Sequence, residues 1–165
     1  MPAIAPEIIA AARASQAKWG IPASISLAQW ALESGWGKSV SGKNNYGGIT
    51  AKVKDAVFPH VPGTPLEPAT LCWTREVVNG QTVRCQRWFK DYASPEDYFE
   101  AHGKLLATGK PYAKARALLP DPNAFADALT GVYATDPKYG ATLKAIMRGS
   151  NLYQYNQPPA EGKHP

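Results

Sequence analysis

Residues 7–18 form an Ala-rich stretch in which Arg13 and Lys18 interrupt the apolar positions, a pattern that predicts a helix ended by Gly20 and Pro22. Pro22 suits the first turn of a second, more apolar helix running to Glu33, where Gly35 or Gly37 supplies the stop. The next segment, 37–48, is rich in Gly, Ser and Asn and reads as loop. Pro59, Pro62, Pro65 and Pro68 then exclude a long helix and leave irregular or short extended structure. Strand composition returns at 71–78 and 82–89 about the turn pair Asn79-Gly80, which predicts a β-hairpin.

The rest of the chain reads as helical. Ser94-Pro95-Glu96-Asp97 opens a helix reaching about Thr108, and a short helix spans about 112–119. Asp121-Pro122 and Asp136-Pro137 repeat the cap-plus-proline device, starting helices that reach about Val132 and Met147, with Gly149 as the stop. From Ser150 onward Asn, Gln, Pro and Gly predict a loosely attached extension, 150–165. The fold class expected is α+β, mainly α: one domain over 1–149, with a small β-hairpin lobe at about 50–90.

Hairpin register decides the state of the two cysteines. A two-residue turn at Asn79-Gly80 sets Cys72 opposite Arg87, whereas a four-residue loop over 77–80 sets it opposite Cys85. The second register permits a disulfide, which would point to an oxidising compartment. Both registers remain open at this stage.

Composition narrows the partners. At 165 residues, 44% hydrophobic and 19% charged, the chain can bury a substantial core. Its net charge of +5 implies mild attraction to anionic partners, and no Lys/Arg run is dense enough for a nucleic-acid stripe. An anionic wall polymer or a membrane surface fits as well. No stretch is long and apolar enough to span a bilayer, so no integral membrane contact is expected. The N-terminus shows no signal peptide, which suggests synthesis in the cytoplasm.

One carboxylate stands out. Glu33 falls in the last turn of the apolar helix, where the helix dipole presents its negative end, and Trp30, Leu32 and Trp36 neighbour it in sequence. Dipole and apolar surroundings both favour the protonated form, the state a general acid requires. His60, His102 and His164 are scattered, neither cysteine has a C-x-x-C neighbour, and no Gly-rich phosphate loop follows a strand. Glu33-Ser34-Gly35 also lacks the strand-turn-helix context of a nucleophilic serine. No metal and no cofactor are expected. Five Trp and eight Tyr supply flat faces suited to sugar rings.

Four motifs then occur in order: Ala31-Leu32-Glu33-Ser34-Gly35-Trp36-Gly37, Asn44-Asn45-Tyr46-Gly47-Gly48-Ile49, Thr74-Arg75-Glu76 with Asn79-Gly80, and Tyr133-Ala134-Thr135-Asp136-Pro137-Lys138-Tyr139. Over about residues 5–150 the chain resembles the family 73 glycoside hydrolases, flagellar- and autolysin-type peptidoglycan N-acetylglucosaminidases with a lysozyme-like fold. The resemblance implies a catalytic set of Glu33, Glu76 and Tyr133. Glu33 would be the general acid, Glu76 the second carboxylate acting on water or on oxocarbenium charge, and Tyr133 a wall near the reacting sugar. It implies substrate contacts at Tyr139, Trp36, Tyr46 and Trp73. Asn44 and Asn45 would hold the loop behind Glu33, and Asp136 suits a helix cap better than chemistry. One departure is Gly47, where the family usually has a large side chain; its loss could widen the cleft floor.

The implied reaction is hydrolysis of the β-1,4 bond between N-acetylglucosamine and N-acetylmuramic acid in the peptidoglycan glycan strand, by a monomer. A carboxyl separation beyond roughly 6.5 Å leaves room for a water, and about 5 Å implies a protein nucleophile. Assistance by the substrate's acetamido group is a further route. The implied setting is the periplasm or wall of a target bacterium, as an injected antibacterial effector with a cognate inhibitor (immunity) protein, or as a phage endolysin. A lytic transglycosylase and a non-catalytic wall-binding module are the alternatives.

Overall fold

The structure, a computed structural model, describes residues 3–157. Six α-helices and two small antiparallel sheets appear in the order α1 (Pro6–Trp19), α2 (Ala23–Ser34), β1 (Val53–Lys54), β2 (Thr64–Pro65), β3 (Ala69–Val78), β4 (Gln81–Lys90), α3 (Pro95–Thr108), α4 (Ala113–Arg116), α5 (Pro122–Ala128) and α6 (Tyr139–Gly149). Short 3-10 turns at Lys110–Tyr112 and Leu152–Tyr155 complete the helical body. The mainly helical α+β architecture with a β-lobe inserted after the second helix is as expected.

α2 is the axis of the body. Residues 23–31 are all buried, because α1, α3, α5, α6 and the last 3-10 turn surround it. A helix covered on every side must be apolar or satisfied throughout, which explains its Ile, Leu, Ala and Trp content. Phe99, Leu106, Phe125, Leu129, Leu143 and Met147 close the core around it with no accessible surface.

The hairpin takes the two-residue register. Val78 pairs with Gln81, and Asn79 and Gly80 turn with φ of 51° and 78°, the left-handed pair of a type I′ turn. Cys72 therefore faces Arg87 and Cys85 faces Thr74, and both cysteines are free. The support that a disulfide would have lent to an oxidising compartment is absent. Residues 49–51 run alongside β4, with Ala51 N–H donating to the Trp88 carbonyl and Lys90 N–H to that of Ile49, both at 2.9 Å.

Three boundaries differ from expectation. α5 ends at Ala128, four residues early, because Gly131 turns at φ 79° and its N–H returns to the Ala134 carbonyl. α6 begins at Tyr139 rather than at Pro137; Asp136 Oδ1 accepts the Lys138 N–H at 2.9 Å and so caps the turn that precedes it. The loose attachment expected after Ser150 does not hold as far as residue 157. Leu152 is wholly buried, Asn156 Oδ1 accepts the Ser24 N–H at 2.8 Å, and Gln157 N–H donates to Gln16 Oε1. Its polar composition serves the free backbone groups at the start of α2. The remaining tail, with His164, lies outside the described residues.

Candidate active site

Glu33 sits in the last turn of α2, as its sequence position requires. Gly35 ends the helix in the left-handed region (φ 56°), and Trp36 and Gly37 continue there at φ 62° and 85°. Ser34 locks this coil: its hydroxyl donates to the Trp30 carbonyl at 2.6 Å and accepts the Gly37 N–H at 2.8 Å. A Cβ on Gly37 would meet the Trp30 ring at 2.9 Å, so glycine is needed there for both backbone and space.

The surroundings of Glu33 correct one expectation. Its side chain is exposed, and Leu32 beside it is 38% exposed, because this face of the last turn points away from the core that buries Ala31 and Ser34. The apolar enclosure inferred from Trp30, Leu32 and Trp36 is not formed. What holds the carboxylate instead is a hydrogen bond from the Tyr139 hydroxyl to Glu33 Oε2 at 3.0 Å.

Tyr139 comes from the first turn of α6 and is buried. Its hydroxyl accepts from Gln29 Nε2 at 2.8 Å, and Gln29 Oε1 meets His102 Nε2 at 2.7 Å. Four side chains from three helices thus form one chain of hydrogen bonds that ends on the exposed acid. Tyr133 stacks on Tyr139 with ring centres 5.8 Å apart and planes 14° from parallel. Burial first, and then the negative charge of Glu33, push the Tyr133 phenol upward from its ordinary range. Burial does the same to Tyr139. Both phenols stay protonated and remain donors. A cavity of about 180 Å³ lies beside Tyr133, between Ile49, Tyr92, Tyr98 and His102.

Trp36 and Tyr46 are half-buried, and both rings stand edge-on to Trp30, at 6.0 and 6.3 Å. Asn45 is wholly buried; its amide donates to the Ile49 and Lys90 carbonyls and its oxygen accepts the Ile49 N–H. Asn44 donates to the Tyr92 carbonyl. The pair therefore tie the loop to the end of β4 and the segment after it. Gly47 does not open a gap: a Cβ there would lie 2.5 Å from the Tyr98 hydroxyl, so a tyrosine from α3 occupies the space a side chain would take.

Glu76 stands on β3, half-buried, with Oε2 3.8 Å from Arg87 Nε. Its charged neighbour is Arg87, two residues beyond Cys85 on the same face of the hairpin, while Arg75 and Arg84 pair with each other on the opposite face. Trp73 does not join it. Side chains alternate along a strand, so Trp73 and Glu76 project from opposite faces, and Trp73 lies 60% exposed with the Arg84 guanidinium 4.5 Å over its ring. One face of the hairpin cannot offer both to the same groove.

Sequence reasoning missed Gln29, His102 and Tyr98. Gln29 carried a usable signal: an amide four residues before Glu33, on the same helix face, inside an apolar run.

The sequence profile of the family described as mannosyl-glycoprotein endo-beta-N-acetylglucosaminidase matches residues 9–152. A probable N-acetylmuramidase of Lactococcus lactis subsp. lactis is 33% identical over 149 residues, covering 87% of this chain and 32% of that protein. The chain thus spans about a third of the length of the curated relatives it matches first. The catalytic domain of the Listeria monocytogenes autolysin Auto superposes with a TM-score of 0.75 at 23% identity, covering 94% of this chain and 90% of that one. The glycoside hydrolase domain of Salmonella typhimurium FlgJ superposes at 0.67 with 27% identity, covering 87% and 93%. The shared architecture is lysozyme-like.

Proposed function

The chain belongs to the glucosaminidase family of glycoside hydrolases, family 73, and on that premise we propose that it hydrolyses the β-1,4 bond between N-acetylglucosamine and N-acetylmuramic acid in peptidoglycan. The observation that carries this is the Tyr139–Glu33 hydrogen bond: a solvent-facing carboxyl at the end of a buried helix, held at one oxygen by a buried phenol. Such a group can meet a glycan at the surface while its own position is fixed from within. Glu33 delivers its proton to the glycosidic oxygen as the bond to the sugar carbon breaks. Glu76 acts on the opposite side, on a water or on the developing positive charge. Tyr133 packs against the reacting sugar, with Tyr139, Trp36 and Tyr46 shaping the wall behind it. Among the described residues no helix is long and apolar enough to cross a membrane, and the net charge of +5 is compatible with an anionic wall polymer.

Digestion of purified sacculi, borohydride reduction and mass spectrometry test this. Each cut should add one water and leave a reduced N-acetylglucosamine end. Reduced N-acetylmuramic acid ends would reassign the bond, 1,6-anhydro ends would mark a lytic transglycosylase, and no release would leave a wall-binding module. The proposal extends to a bacteriolytic monomer acting in the periplasm or wall of a target bacterium, as an injected effector checked by an inhibitor protein or as a phage endolysin. Directed to the periplasm of a Gram-negative host, the chain should lyse it and Glu33→Gln should not; survival with the unaltered chain rejects that role.

A further inference from the structure

His102 has no place in the chemistry above, yet it is buried, lies on α3, and ends the hydrogen-bonded chain from Glu33. We propose that His102 and Gln29 are positioning residues that fix the direction of a relay, His102 to Gln29 to Tyr139 to Glu33, so that the Tyr139 proton is spent on Glu33 Oε2 and the catalytic proton resides on Oε1. The inference rests on the hydrolase reading for its catalytic consequence, but the direction of the relay stands on geometry alone.

The direction follows from counting donors. His102 Nδ1 is buried without a partner among the described residues. A proton there would be an orphaned buried donor, so the ring proton belongs on Nε2, which faces Gln29 Oε1 at 2.7 Å. With its oxygen so engaged, Gln29 can offer only an N–H to Tyr139, whose oxygen accepts it at 2.8 Å. The one phenolic proton is then free for Glu33 Oε2 at 3.0 Å. In a neutral carboxyl the oxygen that accepts such a bond is the carbonyl, and the other oxygen bears the proton. Without His102 the Gln29 amide can turn over, and its oxygen then competes with Glu33 for the Tyr139 proton.

Other groups leave this direction undisturbed. Burial lowers His102 to about 4, so the ring is neutral at working pH. Tyr98 stacks on it at 6.2 Å and Tyr133 stands edge-on at 6.3 Å; burial pushes both phenols upward and keeps them neutral. The Glu33 charge acts on Tyr98, Tyr133 and Tyr139. α2 carries no other charged residue, and no ion pair joins Glu33 among the described residues.

Nitrogen NMR of the histidines in the unaltered protein reads the tautomer without any activity. His102 should show a bare Nδ1 and a protonated Nε2, unchanged between pH 5 and 8; the opposite tautomer, or titration in that range, overturns the relay. Kinetics on soluble glycan fragments test the consequence. A bond that only places the proton acts on turnover and not on substrate affinity. His102→Phe should lower kcat about tenfold, the worth of one hydrogen bond, and leave KM within about twofold. Added to Tyr139→Phe, it should lower kcat no further. A folded His102→Phe with an unchanged kcat, or a full second loss in the double variant, rejects the positioning role. An inactive unaltered protein with the expected tautomer would instead count against the hydrolase reading alone.

Discussion

Glu33 ends a helix whose residues 23–31 are all buried, whereas Glu76 stands on a two-stranded hairpin in which only Cys85 and Phe89 are buried. The first carboxylate is held through three successive hydrogen bonds reaching into the core. The second has one ion pair at 3.8 Å between partly exposed side chains. A partly exposed pair at that distance contributes little and is screened by salt. The body therefore holds its carboxyl from within, and the lobe holds its own by one weak surface contact. For a reaction that needs one proton placed accurately and one charge placed roughly, the fixed partner should be the acid.

The comparison can be broken at the carboxylates first. Glu33→Gln should cut muropeptide release by about 10²–10⁴-fold with the fold intact by circular dichroism, the usual contribution of a general acid. Glu76→Gln should cost less, about 10²-fold, and equal losses would erase the distinction. Stability should divide the same way. Phe99→Ala, which empties a wholly buried site in the body, should cost about 3–5 kcal/mol in denaturant unfolding; Val77→Ala at the 71% exposed hairpin position should stay within about 0.5 kcal/mol.

Acid should act on the body through His102. Its folded value, about 4, lies below the unfolded 6.5, so the unfolded chain binds a proton that the folded chain does not. Stability from this group is complete above about pH 6.5 and falls as pH drops toward 4, by up to about 3 kcal/mol. Melting curves should show that loss in the parent protein and less of it in His102→Phe. The smallest effect is expected at Trp73. Trp73→Ala removes a cation–π contact worth about 0.5–1 kcal/mol and should leave release unchanged; a tenfold drop would return Trp73 to the glycan groove.

Local features were legible. Gly35 after an apolar run locates the end of α2, and Asn79-Gly80 locates the hairpin turn, while the register that separates the cysteines came only from the structure. Long-range features were not. Nothing near Gly47 indicates that Tyr98, from another helix, fills its space, and His102 meets Gln29 across 73 positions of chain. The apolar neighbours of Glu33 misled because sequence adjacency at a helix end says little about which side the core lies on. The tail composition misled as well, since Asn156 and Gln157 spend their polarity on the start of α2 and on Gln16 rather than on solvent.

The kcat and KM for release from soluble glycan fragments, measured side by side for the parent chain and Tyr139→Phe, test most directly whether a proton donor at the end of α2 is held by that phenol. We expect a folded variant with kcat lowered about tenfold and KM within about twofold of the parent's. An unchanged kcat in the folded variant would contradict the central claim.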